Sequence, residues 1–313
     1  EHRRLLGVPD KAKVNIAALQ GNIDQNQPWD EHYRRSTLNR FFELGSQARA
    51  LNAELLIWPE SAFPGIFNWD QSLANEVRSW SRTWHVDQIV SADTVGLGAT
   101  QGDYRYFNSM LWLNPEGTVT GRFSKIHLVP FGEYIPFQRT LLFFVRKLVP
   151  RYENGMFTPG EKRLPLIWNR PGGDSKVGGL ICFESIFPQY AAELTRQGSE
   201  LLVVVTYDAW FGVTAAPAQH ALFSALRAAE TNRYVIHNAA TGVSCAFDPY
   251  GRLLGLIPLN TPGVLQKQLG LRSTQTFFVR WGLWLPWFSV LWVAVLAMFV
   301  FRFSEIQKLH SEP

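Results

Sequence analysis

Residues 177–206 read VGGLICFESIFPQYAAELTRQGSELLVVVT, and this stretch decides the fold. Val177–Phe183 is an apolar run of strand length, reached through the turn-prone Gly172-Gly173-Asp174. Tyr190–Gln197 reads as a short helix. Leu201–Thr206, LLVVVT, is a strand apolar on both faces.

Outward from this core the alternation continues. Downstream, Ala218–Asn232 reads as a helix and Val235–Ala239 as a strand. Gly242–Phe247 and Arg252–Ile257 form a hairpin about Asp248-Pro249-Tyr250-Gly251. Upstream, Val14–Leu19 and Leu55–Trp58 read as buried strands, Tyr33–Ala53 and Leu73–Trp84 as helices, and Gln88–Ala92 as a strand. Ser109–Leu113 and Thr118–Phe123 flank the turn Asn114-Pro115-Glu116-Gly117. Strands alternating with helices, then hairpins, imply an α/β sheet protein of mixed strand direction.

The totals narrow the class. At 313 residues the chain holds one large α/β domain or two smaller ones. Charged residues are 18% and aromatics 14%, with 12 Trp, a balance that leans towards contact with lipid. A formal charge of +4 without a Lys/Arg run indicates a weak preference for anionic surfaces and argues against nucleic acid as a partner. Cys182 and Cys245 have no metal-type spacing and sit in separate apolar runs, so they read as separate buried thiols. His32, His85, His220 and His237 are scattered along the chain and point to no metal site.

From Trp281 to Phe301, WGLWLPWFSVLWVAVLAMFVF carries no charge and is bracketed by Arg280 and Arg302. At ~1.5 Å per residue it covers roughly the ~30 Å of a bilayer core. Trp281, Trp284 and Trp287 gather at one end, as an interfacial belt does. The expected organisation is a linker over 1–11, a catalytic domain over 12–268, a linker over 269–280, a membrane helix over 281–303 and a tail over 304–313. Within the domain, 129–164 is rich in Pro, Phe and Arg, and Thr140–Val149 (TLLFFVRKLV) reads either as a mobile arm over a site or as an extra core helix.

Three segments deliver reactive groups where strands end, a common place for sites in α/β folds. They are LLIWPESA (55–62) with Glu60, GRFSKIHLVPFGE (121–133) with Lys125, and GGLICFE (178–184) with Cys182. Singly, each is ordinary: a Cys at a strand end packs, a Glu after Trp-Pro sits in a turn, and a Lys in a basic loop faces water. Together they make a mechanism. A thiol is only a few per cent ionised near pH 7. A buried carboxylate can take its proton and return it to a leaving group. A fixed ammonium, with a backbone N–H after the nucleophile, can stabilise thiolate and oxyanion. Glu60, Cys182 and Lys125 fill these roles. A pairing of Cys182 with His127 is the weaker arrangement.

The blocks WPESAFP, FSKIHLVPFGEYIPF, ICFESIFP and DAWFG resemble the signature blocks of the nitrilase (carbon–nitrogen hydrolase) superfamily. HLVPFGEYIPF, DAWFG and the C-terminal span together are most similar to its apolipoprotein N-acyltransferase branch. The resemblance runs over roughly residues 12–303. It implies a nitrilase-like α-β-β-α sandwich with a C-terminal transmembrane helix, and a Glu60–Lys125–Cys182 triad. It also implies Glu133 as an assisting carboxylate, Glu184 and Trp29 as supporting residues, the Phe183 amide as an oxyanion donor, and Trp210 near the pocket. No cofactor and no metal are implied. The activity implied is transfer of a fatty acyl chain from a phospholipid, through a Cys182 thioester, to the N-terminal amine of a diacylglyceryl-cysteine lipoprotein. The enzyme would be a monomer in the bacterial inner membrane with its catalytic domain on the outer side. The alternative is an amidase hydrolysing a small C–N substrate with the same triad. The sequence departs from the branch at Phe183, where Tyr is common, at Thr206-Tyr207-Asp208 in place of Ser-Asn-Asp, and at Ala239-Ala240, so the pocket wall differs while the triad is intact.

Overall fold

The computed structural model describes residues 9–23, 30–98, 102–136, 157–282 and 284–309, without the side chains of residues 285 and 303–309. Its strands are β1 (Ala12–Gln20), β2 (Leu55–Ile57), β3 (Asp87–Leu97), β4 (Tyr104–Leu113), β5 (Val119–Ser124), β6 (Leu166–Trp168), β7 (Ser175–Ile181), β8 (Leu201–Thr206), β9 (Val235–Ala239), β10 (Ser244–Phe247), β11 (Leu253–Ile257) and β12 (Gly263–Leu271). They form two six-stranded sheets, ordered β12-β1-β2-β3-β4-β5 and β11-β10-β9-β8-β7-β6. In each, three central strands run parallel (β1, β2, β3 and β7, β8, β9) and the flanking pairs are antiparallel. That is the mixed direction expected from the alternation followed by hairpins.

Side-chain alternation explains the layering. In β2, Leu55 and Ile57 face the second sheet while Leu56 faces the helices. In β8, Val203 and Val205 face the first sheet while Leu202 and Val204 face outward. Both strands are buried on both faces, so they read as continuous apolar runs. Helices α1 (Glu31–Ala50) and α2 (Gln71–Trp84) cover the first sheet, and α3 (Pro188–Arg196) and α4 (Ala216–Thr231) cover the second. The result is an α-β-β-α sandwich. Between the sheets, Asp87 accepts from the indole N–H of Trp112 (2.7 Å) in its own sheet and of Trp168 (3.0 Å) in the other. Burial pushes the Asp87 carboxyl up to about 6 against these two bonds.

Several expectations shift. β6 and β12 were not anticipated: β6 is three residues long, and β12 (GVLQKQLGL) mixes polar residues into its apolar run. β12 pairs with β1 along its whole length, so the sheet extends three residues past the expected domain boundary at 268. The segment expected as a linker over 269–280 also holds most of α5 (Phe277–Trp281), capped by the Thr276 hydroxyl and tied to α3 by Arg196, which donates to the Val279 carbonyl at 2.9 Å. β3 and β4 run to Leu97 and back from Tyr104, well beyond the apolar stretches that marked them. The strand expected over 177–183 stops at Ile181, because Cys182 turns into the left-handed region.

Among the described residues no helix is long and apolar enough to cross a membrane. Of the segment expected as the span, Trp281 closes α5 at Gly282 and the remainder from Trp284 lies in α6 (Trp284–Leu309). The arm expected over Thr140–Val149 lies outside the described residues, and so does Trp29.

Candidate active site

Glu60, Lys125 and Cys182 come together at the C-terminal ends of β2, β5 and β7. Lys125 is 1% exposed, and its ammonium donates to Glu133 Oε1 at 2.6 Å and to Glu60 Oε1 at 3.3 Å. Burial works against that charge, but Glu60, Cys182 and Glu133 outweigh it and hold the ammonium protonated far above neutrality. Glu60 is fixed by two further donors, the Asn108 amide to Oε1 and the Tyr207 backbone N–H to Oε2, both at 2.8 Å. Glu133 accepts the Val129 N–H on its other oxygen at 2.9 Å. Burial, with Glu60 nearby, pushes the Glu133 carboxyl up while Lys125 opposes the shift. Asp93, directly across the strand pair from Asn108, is pushed up to about 7 by burial and by Glu60 and Glu133. The cluster therefore carries more acid than base.

Cys182 opens the 3-10 turn Cys182–Ile186 with φ of 50°, a conformation that costs a non-glycine residue of order 1–3 kcal/mol. Ser61 (φ 50°) and Phe131 (φ 61°) beside the other two segments share it. Gly179, on β7 ahead of Cys182, lets the strand approach the other sheet, since a Cβ there would stand 2.8 Å from Met110 Sδ. Cys182 is half-buried as a residue, and burial of its thiol, with Glu60 nearby, pushes the thiol upward, so it rests neutral.

Glu184 ties the segments together. It is fully buried and accepts the N–H groups of Ile126 (3.0 Å), His127 (3.1 Å) and Ile181 (3.0 Å), together with the Arg163 guanidinium (3.1 Å). It thereby joins the loop after Lys125 to the strand end before Cys182. Phe183 is the second residue of the 3-10 turn, where N–H groups have no acceptor within the turn. Its ring lies among His127 and Phe187. His127 bonds the Tyr190 hydroxyl through Nδ1 at 2.9 Å and packs among Phe183 and Phe187, whereas Cys182 has Glu60 and Lys125 as its charged neighbours. Trp210 is 75% exposed and meets Tyr207 edge to face at 6.1 Å, on the loop that also exposes Phe211 and Val213.

The histidines read as scattered are partly gathered by the fold. His220 on α4 and His237 on β9 lie 5.2 Å apart at right angles, and Asp208 completes a group whose donor atoms fall within 4.8 Å of one another. Both ring nitrogens of His220 are committed to hydrogen bonds, Nδ1 with Asp208 Oδ1 (2.8 Å) and Nε2 with Ser185 Oγ (2.9 Å), so the group is a hydrogen-bonded network. Asn108, Arg163 and His220 carried no signal in the sequence. Asn108 lies in the polar half of β4, Arg163 precedes a strand too short to read, and His220 is one polar residue on an otherwise unremarked helix face. Asp208 did carry one, through the DAWFG block.

The fold is thus an α-β-β-α sandwich that sets a buried Glu–Lys pair beside a cysteine on a sharp turn. The carbon–nitrogen hydrolase family profile matches residues 15–277, and the chain belongs to that family. It is 38% identical over 306 residues to an apolipoprotein N-acyltransferase of Geobacter metallireducens, covering 96% of this chain and 56% of that protein. A protein of the same name from Azotobacter vinelandii is 31% identical over 278 residues, covering 88% and 51%. The chain thus spans about half the length of the curated relatives it matches. Among solved structures, a nitrilase-superfamily amidase from Nesterenkonia superposes with a TM-score of 0.62 at 19% identity, covering 84% of this chain and 93% of that one. A carbon–nitrogen hydrolase from Helicobacter pylori gives 0.60 at 16%, covering 82% and 88%. These two likenesses bear on the fold alone.

Proposed function

We propose that the chain is the catalytic part of a membrane-bound N-acyltransferase that carries an acyl group on Cys182. Glu60 takes the thiol proton as Sγ attacks the ester carbonyl of a phospholipid, and the oxyanion forms towards the Lys125 ammonium and the Phe183 N–H. The tetrahedral adduct collapses, Glu60 returns the proton to the departing lysophospholipid oxygen, and a thioester remains. The N-terminal amine of a diacylglyceryl-cysteine lipoprotein then attacks the thioester carbonyl. Glu60 accepts the amine proton, and the thiol is regenerated as the amide forms. Trapping of one acyl group between two substrates predicts ping-pong kinetics.

The observation that carries this reading is the convergence of Glu60, Lys125 and Cys182, with Lys125 held between two carboxylates at 3.3 and 2.6 Å. The 38% identity to a protein named apolipoprotein N-acyltransferase supports acyl transfer over hydrolysis. The apolar rim of Trp210, Phe211 and Val213 suits an acyl chain, as does the exposure of Trp287, Trp292, Leu296, Phe299 and Phe301 on α6, which supports a bilayer-embedded helix. In this reading the enzyme is a monomer of the bacterial inner membrane with its catalytic domain on the outer side, and Trp29 lies among the supporting residues.

The test is intact-mass spectrometry of the detergent-purified protein after incubation with phospholipid, beside Cys182→Ala. A hydroxylamine-sensitive acyl increment absent from the variant supports the thioester. An unmodified Cys182 with every phospholipid tried, together with turnover of a small amide, overturns acyl transfer in favour of an amidase.

A further inference from the structure

Beneath the Cys182 turn lies a buried chain of polar groups that the acyl-transfer steps do not use. Asp208 is fully buried, and its Oδ1 accepts the Thr206 hydroxyl at 2.8 Å as well as His220 Nδ1 at 2.8 Å. On the far side of the ring, His220 Nε2 stands 2.9 Å from Ser185 Oγ and 3.2 Å from the Cys182 carbonyl oxygen. The Ser185 hydroxyl donates to that same carbonyl at 2.8 Å.

One arrangement of protons meets this chain best. A carboxylate only accepts, so Nδ1 carries a hydrogen. A carbonyl only accepts, and the Ser185 proton is directed at it, so Nε2 also carries a hydrogen, shared between Ser185 Oγ and the Cys182 carbonyl. A ring protonated on both nitrogens is an imidazolium. The neutral ring would need the Ser185 proton turned onto Nε2, leaving two acceptors, Nε2 and the Cys182 carbonyl, facing each other at 3.2 Å.

We propose that His220 is a charged positioning residue: an imidazolium held between Asp208 and the Cys182 carbonyl, which fixes the left-handed turn of the nucleophile and cancels the Asp208 charge beside the thiol. The proposal rests on Cys182 being the nucleophile. The surroundings agree with it. Burial alone would lower the His220 pKa, but Asp208, through its hydrogen bond and its charge, reverses this, with the Cys182 carbonyl and Glu60 adding to the upward shift. His237, the other titratable group against the ring, is pushed down to about 3 by burial and by His220, so it stays neutral and bonds Ser224. Asp208 is itself held low by its bond to His220 despite burial. The remaining charge nearby, Arg227, donates to the Ser185 and Ile186 carbonyls at 3.1 and 2.9 Å and braces the same turn.

Glutamine can place an amide N–H near the position of Nε2 without the charge. The experiment follows iodoacetamide alkylation of Cys182 by mass spectrometry against pH in the full chain, for wild type, His220→Gln, Asp208→Asn and the double variant. The single His220→Gln change leaves Asp208 uncompensated and is expected to slow alkylation at pH 7.5 about tenfold, a one-unit upward shift of the thiol. Removing both charges in the double variant is expected to recover the rate to within about threefold of wild type. A merely structural His220 gives no such recovery, so a double variant as slow as His220→Gln overturns the proposal, as does wild-type reactivity in His220→Gln. Where the variants fail to fold, ¹⁵N-histidine NMR of the wild-type protein decides. Two protonated ring nitrogens on His220 at pH 7.5 support the imidazolium, and one unprotonated nitrogen overturns it. Alkylation needs no acyl substrate, so failure of the acyl-transfer reading leaves this result readable.

Discussion

Glu184→Gln isolates the buried carboxylate that joins the lysine loop to the cysteine turn. The substitution keeps size and shape but converts one acceptor oxygen to a donor. With the amide oxygen in the place of Oε1, the bonds from Ile126, His127 and Arg163 survive in weakened form, and the new NH₂ faces the Ile181 N–H. That leaves two buried donors without acceptors, at about 1–3 kcal/mol each. Arg163 loses its charged partner but keeps Glu193 at 3.2 Å and the face of Tyr190 at 3.7 Å, which moderates the loss below that of a fully orphaned buried charge. The expected total is about 3–4 kcal/mol, or a fall in Tm of roughly 6–16 °C for a domain of this size. Ile126 adjoins Lys125 and Ile181 adjoins Cys182, so the same change loosens the reacting geometry, and thioester formation is expected to slow by about a hundredfold. Scanning calorimetry and acylation mass spectrometry read the two effects, with Glu193→Gln at the exposed end of the network as a near-neutral control. A Glu184→Gln protein that melts within about 2 °C of wild type (about 1 kcal/mol or less) and acylates normally would refute the reasoning.

Lys125→Met leaves Glu60 and Glu133 facing each other without their shared cation. It is expected to destabilise the protein by about 3–5 kcal/mol and to abolish the acyl increment, while adding Glu133→Gln recovers part of the stability and none of the acylation. For Asp87 the folded carboxyl sits above its unfolded value, so the folded state binds the extra proton and stability falls as pH rises from about 4 to about 6. The loss from Asp87 is on the order of 2–3 kcal/mol, so in urea unfolding across that window the wild type should fall by about that much more than Asp87→Asn, in which the raised Asp93 still titrates. Trp210→Ala, at an exposed site, is expected to change stability by less than about 0.5 kcal/mol while raising the phospholipid concentration needed for half-maximal acylation.

The sequence alone announced the α/β class and the strands beyond whose ends Glu60, Lys125 and Cys182 lie; that the three meet belongs to the fold. Strands buried on both faces must be apolar throughout, so LLVVVT and the run before Glu60 announce themselves, and the signature blocks name the residues just beyond them. What the sequence could not announce is held by long-range contact. Asn108 sits in a polar strand segment that pairs only because β3 lies beside it. β12 joins the sheet by pairing with β1 at the opposite end of the domain's chain, and this carried the domain past its expected boundary. The Asp208–His220 link exists because a helix and a turn pack against the same cysteine. Hydrogen-bond partners and burial are properties of the packed chain. They decide which of many buried polar residues work together, and a one-dimensional pattern carries the residues but not their distances.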